Sequence, residues 1–260
     1  MPISSPADTV LGIDAAWTAG NPSGVALVAR HGEGWRLIAA ASSMPDFVRL
    51  AGLEDGSDIA ALVAAAIRLG GTRPAVVAVD MPMMDAPIDR RRASDNAVTS
   101  AYAGRGAGTH SPTPERPGAV GRALESALAV EGYPLATTKI RPPCRIEIYP
   151  HPALIELMAA PYRLAYKAGN TGKYWPGLPL ADRRAKLFGI WRDIVAALDT
   201  VIADSAAALI LPPPEARGRS LKAFEDKLDA VIAAYAGAMA LDGRARAFGD
   251  ECSAVWVPVT

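Results

Sequence analysis

Two cysteines in 260 residues, Cys144 and Cys252, exclude a disulfide framework. A surplus of charge is missing too. Lys plus Arg number 27 and Asp plus Glu number 27, so the chain as a whole is no electrostatic magnet for nucleic acid. Apolar runs such as Ile59 to Ile67 fall short of the roughly 20 residues that a membrane span needs. The first eight residues lack a basic start followed by an apolar run, so no secretory leader is expected. No Cys/His cluster is present to bind zinc. Neither an internal repeat nor a low-complexity tract interrupts the chain. These absences lead to the expectation of a cytoplasmic protein without membrane attachment, its oligomeric state left open.

Half the residues are hydrophobic and 21% are charged, an ordinary globular balance. A chain of this length buries a sizeable core unaided. The pattern predicts one α/β domain over residues 1–260. Three apolar runs, Thr9 to Ile13, Val25 to Ala29 and Trp35 to Ala41, are separated by tight turn signals and read as an antiparallel meander. Ser57 is placed to cap a helix from about Asp58 to Leu69, stopped by Gly70 and Gly71. Ala75 to Val79 is continuously apolar and reads as a central parallel strand. Residues 85–143 read as an irregular insertion, with a helix from Gly121 to Glu131 inside it.

Arg145 to Tyr149 follows as a fifth strand, and Pro152 suits the first turn of a helix. Two longer helices, Leu180 to Leu198 and Ser220 to Leu241, complete the count, with a last short strand near Ser253 to Val259. Three antiparallel strands followed by crossovers to parallel ones give a mixed five-stranded sheet with helices on both faces. That order is RNase-H-like.

The acids carry the chemistry. Asp14 and Asp80 each end a buried apolar strand, where a carboxylate is costly unless paired or bound to metal. Adjacent carboxylates also repel, and a divalent cation relieves both costs. Asp226 and Asp229, spaced i, i+3, share one helix face. Asp229 lies one step into the apolar half of that helix, where Asp is a poor helix former. Glu147 sits inside the fifth strand, facing away from Ile146 and Ile148, with Arg145 as a partner on its own face. His151 follows two residues later, placed to orient a water or a phosphate.

Between Ile88 and Arg145 nine Lys and Arg stand against five acids, a local excess of +4. This region offers a route to nucleic acid despite the neutral whole. Lys139, Arg141, Arg145 and Lys167 are the candidates to contact phosphates.

Four segments, Leu11–Asp14, Val77–Pro82, Glu147–Leu154 and Glu225–Ala230, resemble a bacterial domain-of-unknown-function family of predicted RNase-H-like nucleases, within the ribonuclease-H-like superfamily. The insertion segment His110-Ser111-Pro112-Thr113-Pro114-Glu115-Arg116-Pro117-Gly118 is similar to that family as well. The arrangement also resembles Holliday-junction resolvases, which carry one acid on the first strand, one on the fourth and an acidic pair on a late helix. Asp14, Asp80, Asp226 and Asp229 match those places. Ribonuclease H proper carries a Glu on its first helix, and Ala60 to Ile67 offers none.

The resemblance implies a Mg²⁺- or Mn²⁺-dependent nuclease in which Asp14, Asp80, Asp226 and Asp229 hold metal and Glu147 joins them. Alternatives are a catalytically silent binding protein of the same fold, or a metal-dependent hydrolase of a small phosphoester. An actin-like kinase, with Thr18, Ala19, Gly20, Ser23 and Gly24 as a phosphate loop, needs two lobes, and 260 residues are too few.

Overall fold

A computed structural model describes residues 8–18, 20–54 and 56–259. Residues 1–7, on which the expectation of no secretory leader rests, and Ala19 of the phosphate-loop alternative lie outside the described residues. The chain opens as three strands, β1 (Thr9–Asp14), β2 (Gly24–His31) and β3 (Gly34–Ala41). Helices α1 (Met44–Leu50) and α2 (Ile59–Gly70) follow, then strand β4 (Val76–Val79). Helices α3 (Ala93–Tyr102) and α4 (Gly118–Val130) lie within the expected insertion. Strand β5 (Cys144–Ile148) leads into α5 (Pro150–Leu157), a short α6 (Thr171–Tyr174) and the long α7 (Leu180–Val201). The chain closes with β6 (Ile202–Ala203), α8 (Ser205–Ala208), α9 (Arg219–Leu241), β7 (Ala245–Gly249) and β8 (Ala254–Pro258).

The protein is α/β with a mixed sheet, but the sheet has eight strands among the described residues, not five. Its order is β6-β3-β2-β1-β4-β5-β8-β7. The meander is present, since β2 runs antiparallel to both β1 and β3. Strands β1, β4, β5 and β8 run parallel. The extra strands escape a pattern reading for physical reasons. β6 is two residues long and exists only by pairing with Trp35 and Arg36. β7 is an edge strand carrying Arg246 and no apolar run, as edge strands often do.

Two smaller corrections concern helices. Asp58, not Ser57, caps α2, its Oδ1 accepting from the Ala61 N–H at 2.7 Å. Helix α1 was not expected, although Ser43 caps it and Pro45 sits in its first turn.

Alternation along the strands splits the core in two. Val10, Ala26, Val28, Ala78, Ile146 and Ile148 pack on one face, against α9, α5 and α7. Leu11, Ile13, Val25, Leu27, Val77 and Val79 pack on the other, against α1, α2 and α4. Helix α9 presses directly on β1 and β2. A Cβ at Gly12 would lie 2.3 Å from the Ala230 carbonyl oxygen, and one at Gly24 would lie 2.0 Å from that of Asp226. Among the described residues no helix is long and apolar enough to cross a membrane.

Candidate functional site

β1 and β4 are parallel neighbours with Ile13 opposite Val79, so the next residues, Asp14 and Asp80, leave the sheet side by side. The Asp80 N–H donates to the Ile13 carbonyl at 2.9 Å and locks that register. By alternation both acids share the face of Val10 and Ala78, the face that α9 covers. The tight seat of α9 on Gly12 and Gly24 brings its acids to the same edge. Asp226 and Asp229 are 2% and 0% exposed, and Glu225 beside them is 4% exposed.

Two lysines enter this group. Lys167 pairs with Asp229 and lies 3.8 Å from Glu225. Lys222 pairs with Asp226 and lies 3.1 Å from Glu225. The Tyr166 hydroxyl donates to Asp229 Oδ1 at 2.7 Å, and the Ala168 N–H donates to Glu225 Oε2 at 2.6 Å. Asp226 Oδ2 is buried without a donor. The Asp14 carboxyl lies within hydrogen-bonding reach of Asp226. Two carboxylates in that relation need a shared proton or a cation between them.

The electrostatics follow from crowding. Burial first, then Asp229 and Asp80, pushes Asp14 well above the usual carboxylate range. Burial, with help from Asp229 and Glu147, pushes Asp80 up to about 7 despite Lys167. Glu225 and Asp226 are raised chiefly by burial. Burial alone would lower Lys167, but Asp229, Tyr166 and Glu225 outweigh it and hold the ammonium charged.

A carboxyl whose pKa is raised on folding favours the folded state at low pH. That advantage is lost as pH rises from about 4 to about 7. Asp80→Asn is therefore expected to stabilise the protein at pH 8 by up to about 4 kcal/mol, with no gain at pH 4. Urea denaturation at the two pH values checks this; an equal effect at both would contradict it.

Glu147 does not join the cluster. It stands opposite Val79, one residue short of the Asp14–Asp80 row, so its side chain points to the opposite face. There it meets Arg92, not Arg145. The Arg92 guanidinium donates to Glu147 Oε2 at 2.5 Å and to Oε1 at 2.8 Å. Arg145 instead donates to the Tyr133 carbonyl at 2.5 Å and to Asp85 at 2.6 Å.

The expected phosphate contacts divide. Lys139 and Arg141 are exposed but precede β5, at the sheet edge opposite the one where Asp14 and Asp80 emerge. Lys167 is in the cleft. His151 is 6% exposed and lines the same cavity as Asp80. Its Nε2 is 3.0 Å from Arg163 Nη2, so that nitrogen is the acceptor and Nδ1 carries the hydrogen. Burial, then Arg163 and Lys167, keeps the ring well below the usual His range and therefore neutral.

Glu225 and Lys222 were missed by the sequence reading. Spacing could have found them, since Glu225 precedes Asp229 by four residues and Lys222 precedes Asp226 by four.

The acids open on two adjoining cavities. Asp14 and Asp226 line one of about 670 Å³, with Trp17, Thr113 and Arg116. Asp80 and Glu225 line another of about 380 Å³, with Tyr149 and Arg163. His110 and Lys222 border both. Among the described residues no three of His, Cys, Asp or Glu are arranged as a ready cage for a metal ion. The donor set is nonetheless all oxygen, as a hard cation such as Mg²⁺ requires. One buried Asp226 oxygen, Oδ2, stands free, while Lys222 holds the other.

The sequence model of a family described as "Protein of unknown function (DUF429)" matches residues 12–253. No curated protein matches the chain, and no solved structure does.

Proposed function

The chain belongs to the DUF429 family, and from that premise we propose that it is an RNase-H-like, divalent-metal-dependent nuclease. The observation that supports this reading is the convergence of Asp14, Asp80, Asp226 and Asp229, from two parallel strands and one helix, at one edge of the sheet, where two adjoining cavities open. The central strand order β3-β2-β1-β4-β5, with β2 antiparallel to its neighbours, suits the same fold.

Asp14, Asp80, Asp226 and Asp229 would hold Mg²⁺ or Mn²⁺, which supplies an activated water and relieves charge at a phosphodiester. The protein's own groups do the rest. Tyr166 and Lys167 fix the rotamer of Asp229. Lys167, Lys222 and Arg163 line the cavity beside Asp80 and draw a phosphate toward it. Neutral His151 adds no charge there; its Nε2 accepts from Arg163 and steadies that guanidinium.

The test is a Mg²⁺ and Mn²⁺ titration with single-stranded, duplex and branched DNA and RNA. Asp14→Asn and Asp229→Asn proteins are run beside the wild type. Metal-dependent cleavage by the wild type and its loss in both variants is the expected result. An undiminished rate in Asp14→Asn would remove that residue and the mechanism with it.

The lysine pairs favour a second reading, a binding protein without turnover, because they already neutralise Asp226 and Asp229. Nucleic-acid binding that ignores Mg²⁺, with no cleavage of any substrate, would select it.

A further inference from the structure

The segment His110 to Arg116 has no part in the metal chemistry, yet it walls the cavity that Asp14 and Asp226 open on. Within it Thr113 and Arg116 exchange both backbone hydrogen bonds, at 2.9 and 3.0 Å, around Pro114 and Glu115. This tight turn fixes the base of the Arg116 side chain. Its guanidinium lies over the Trp17 ring, 5.6 Å from the centroid, near the outer limit of a cation–π contact. Arg116 is exposed and makes no ion pair among the described residues.

Trp17 is three residues beyond Asp14 and only part buried. It packs against the core on the α2 side of the sheet and lines the cavity of Asp14 and Asp226, as well as a small one of about 80 Å³ that Asp80 shares with Arg92 and Glu147. Trp35, Trp191 and Trp256, by contrast, are buried. A part-exposed aromatic ring in a cavity wall, overlain by an unpaired cation, brings together the two elements of a nucleotide seat. The ring stacks on a base, and the cation stacks or meets phosphate. The cavity, about 670 Å³, falls within the usual range of ligand sites.

We infer that Trp17 and Arg116 form a stacking platform for an unstacked nucleobase, so that the cleft takes single-stranded nucleic acid in preference to duplex. The inference rests on the nuclease reading for its choice of ligand. A paired base inside a duplex has both faces covered by its neighbours and cannot offer one to Trp17. Lys222 and Lys167 are engaged by the acids, so among the described residues Arg116 is the cation of this cavity that is left for a phosphate.

The experiment is direct binding by the full-length protein, with Ca²⁺ added. Fluorescently labelled oligo-dT and oligo-U strands of about ten nucleotides are compared with a blunt duplex of similar length. The wild type is expected to bind the strands more tightly than the duplex. Trp17→Ala is expected to weaken strand binding roughly tenfold or more, while Trp17→Phe, which keeps a ring, stays within roughly threefold. Arg116→Ala should flatten the salt dependence.

Circular dichroism shows whether the alanine protein is folded, and the phenylalanine protein carries the test if it is not. Unchanged strand binding in Trp17→Ala, tighter binding of the duplex, or no binding of either by the wild type would each overturn the platform. Trp17-dependent strand binding without metal-dependent cleavage would instead remove the nuclease reading and leave the platform standing.

Discussion

Arg92→Met is expected to lower the unfolding free energy by about 4 kcal/mol at pH 8. The Arg92 guanidinium is 2% exposed and spends all five of its N–H groups on buried acceptors. Besides the two bonds to Glu147, it donates to both Asp95 oxygens, at 2.9 and 3.1 Å, and to the Met83 carbonyl at 2.9 Å. The Met83 N–H donates in turn to Glu147 Oε2 at 2.8 Å. Removing the one cation leaves two carboxylates buried without a counter-charge, which costs far more than the pair contributes.

Glu147 is already raised by its burial, with Arg92 holding it down. Without Arg92 it rises further, and protonation relieves it as pH falls. The deficit should therefore shrink between pH 8 and pH 5 in parallel urea titrations. A deficit under about 1 kcal/mol at pH 8 would show that the network carries little of the fold.

Gly12→Val should cost about 3 kcal/mol or more, because the new side chain must occupy the position of the Ala230 carbonyl. Backbone cannot yield as a flexible side chain does, so the whole of α9 has to lift from β1. Asp226 and Asp229 ride on that helix. Metal-dependent cleavage, once established for the wild type, should fall with the stability. Gly104→Ala, where a Cβ meets nothing within 4 Å, is the control and should change stability by less than about 0.5 kcal/mol. Thermal unfolding of the three proteins decides it. Equal stability of Gly12→Val and wild type would mean that α9 is not seated as described.

The five central strands were legible because four are near-continuous apolar runs and three of them are separated by tight turn signals. Helices α2, α7 and α9 were legible from their length and stops. Helix α3 was not, because Ala93 to Tyr102 has a weak apolar stripe and is held by Arg92 and Asp95 at its start. Strand β8 was readable, but its place beside β5 was not, since pairing of Glu147 with Val255 depends on a hairpin with β7 at the far end of the chain.

The approach of Asp14, Asp80, Asp226 and Asp229 to one edge follows from strand ends and helix spacing, both visible in sequence. The face of Glu147 relative to Asp80 is set by inter-strand register, which no single strand encodes. Lys167 could be named as a cation from its position but not paired with Asp229, because that contact joins residues 62 apart in the chain.

That one-residue offset in β5 has a further effect. Asp80 and Glu147 take opposite faces of the sheet, yet both line one small cavity together with Arg92 and Trp17. After burial and Asp229, the charge of Glu147 helps to hold Asp80 up. The ion network of Arg92 thus borders the acid pocket, and a substitution in it reaches Asp80 as well.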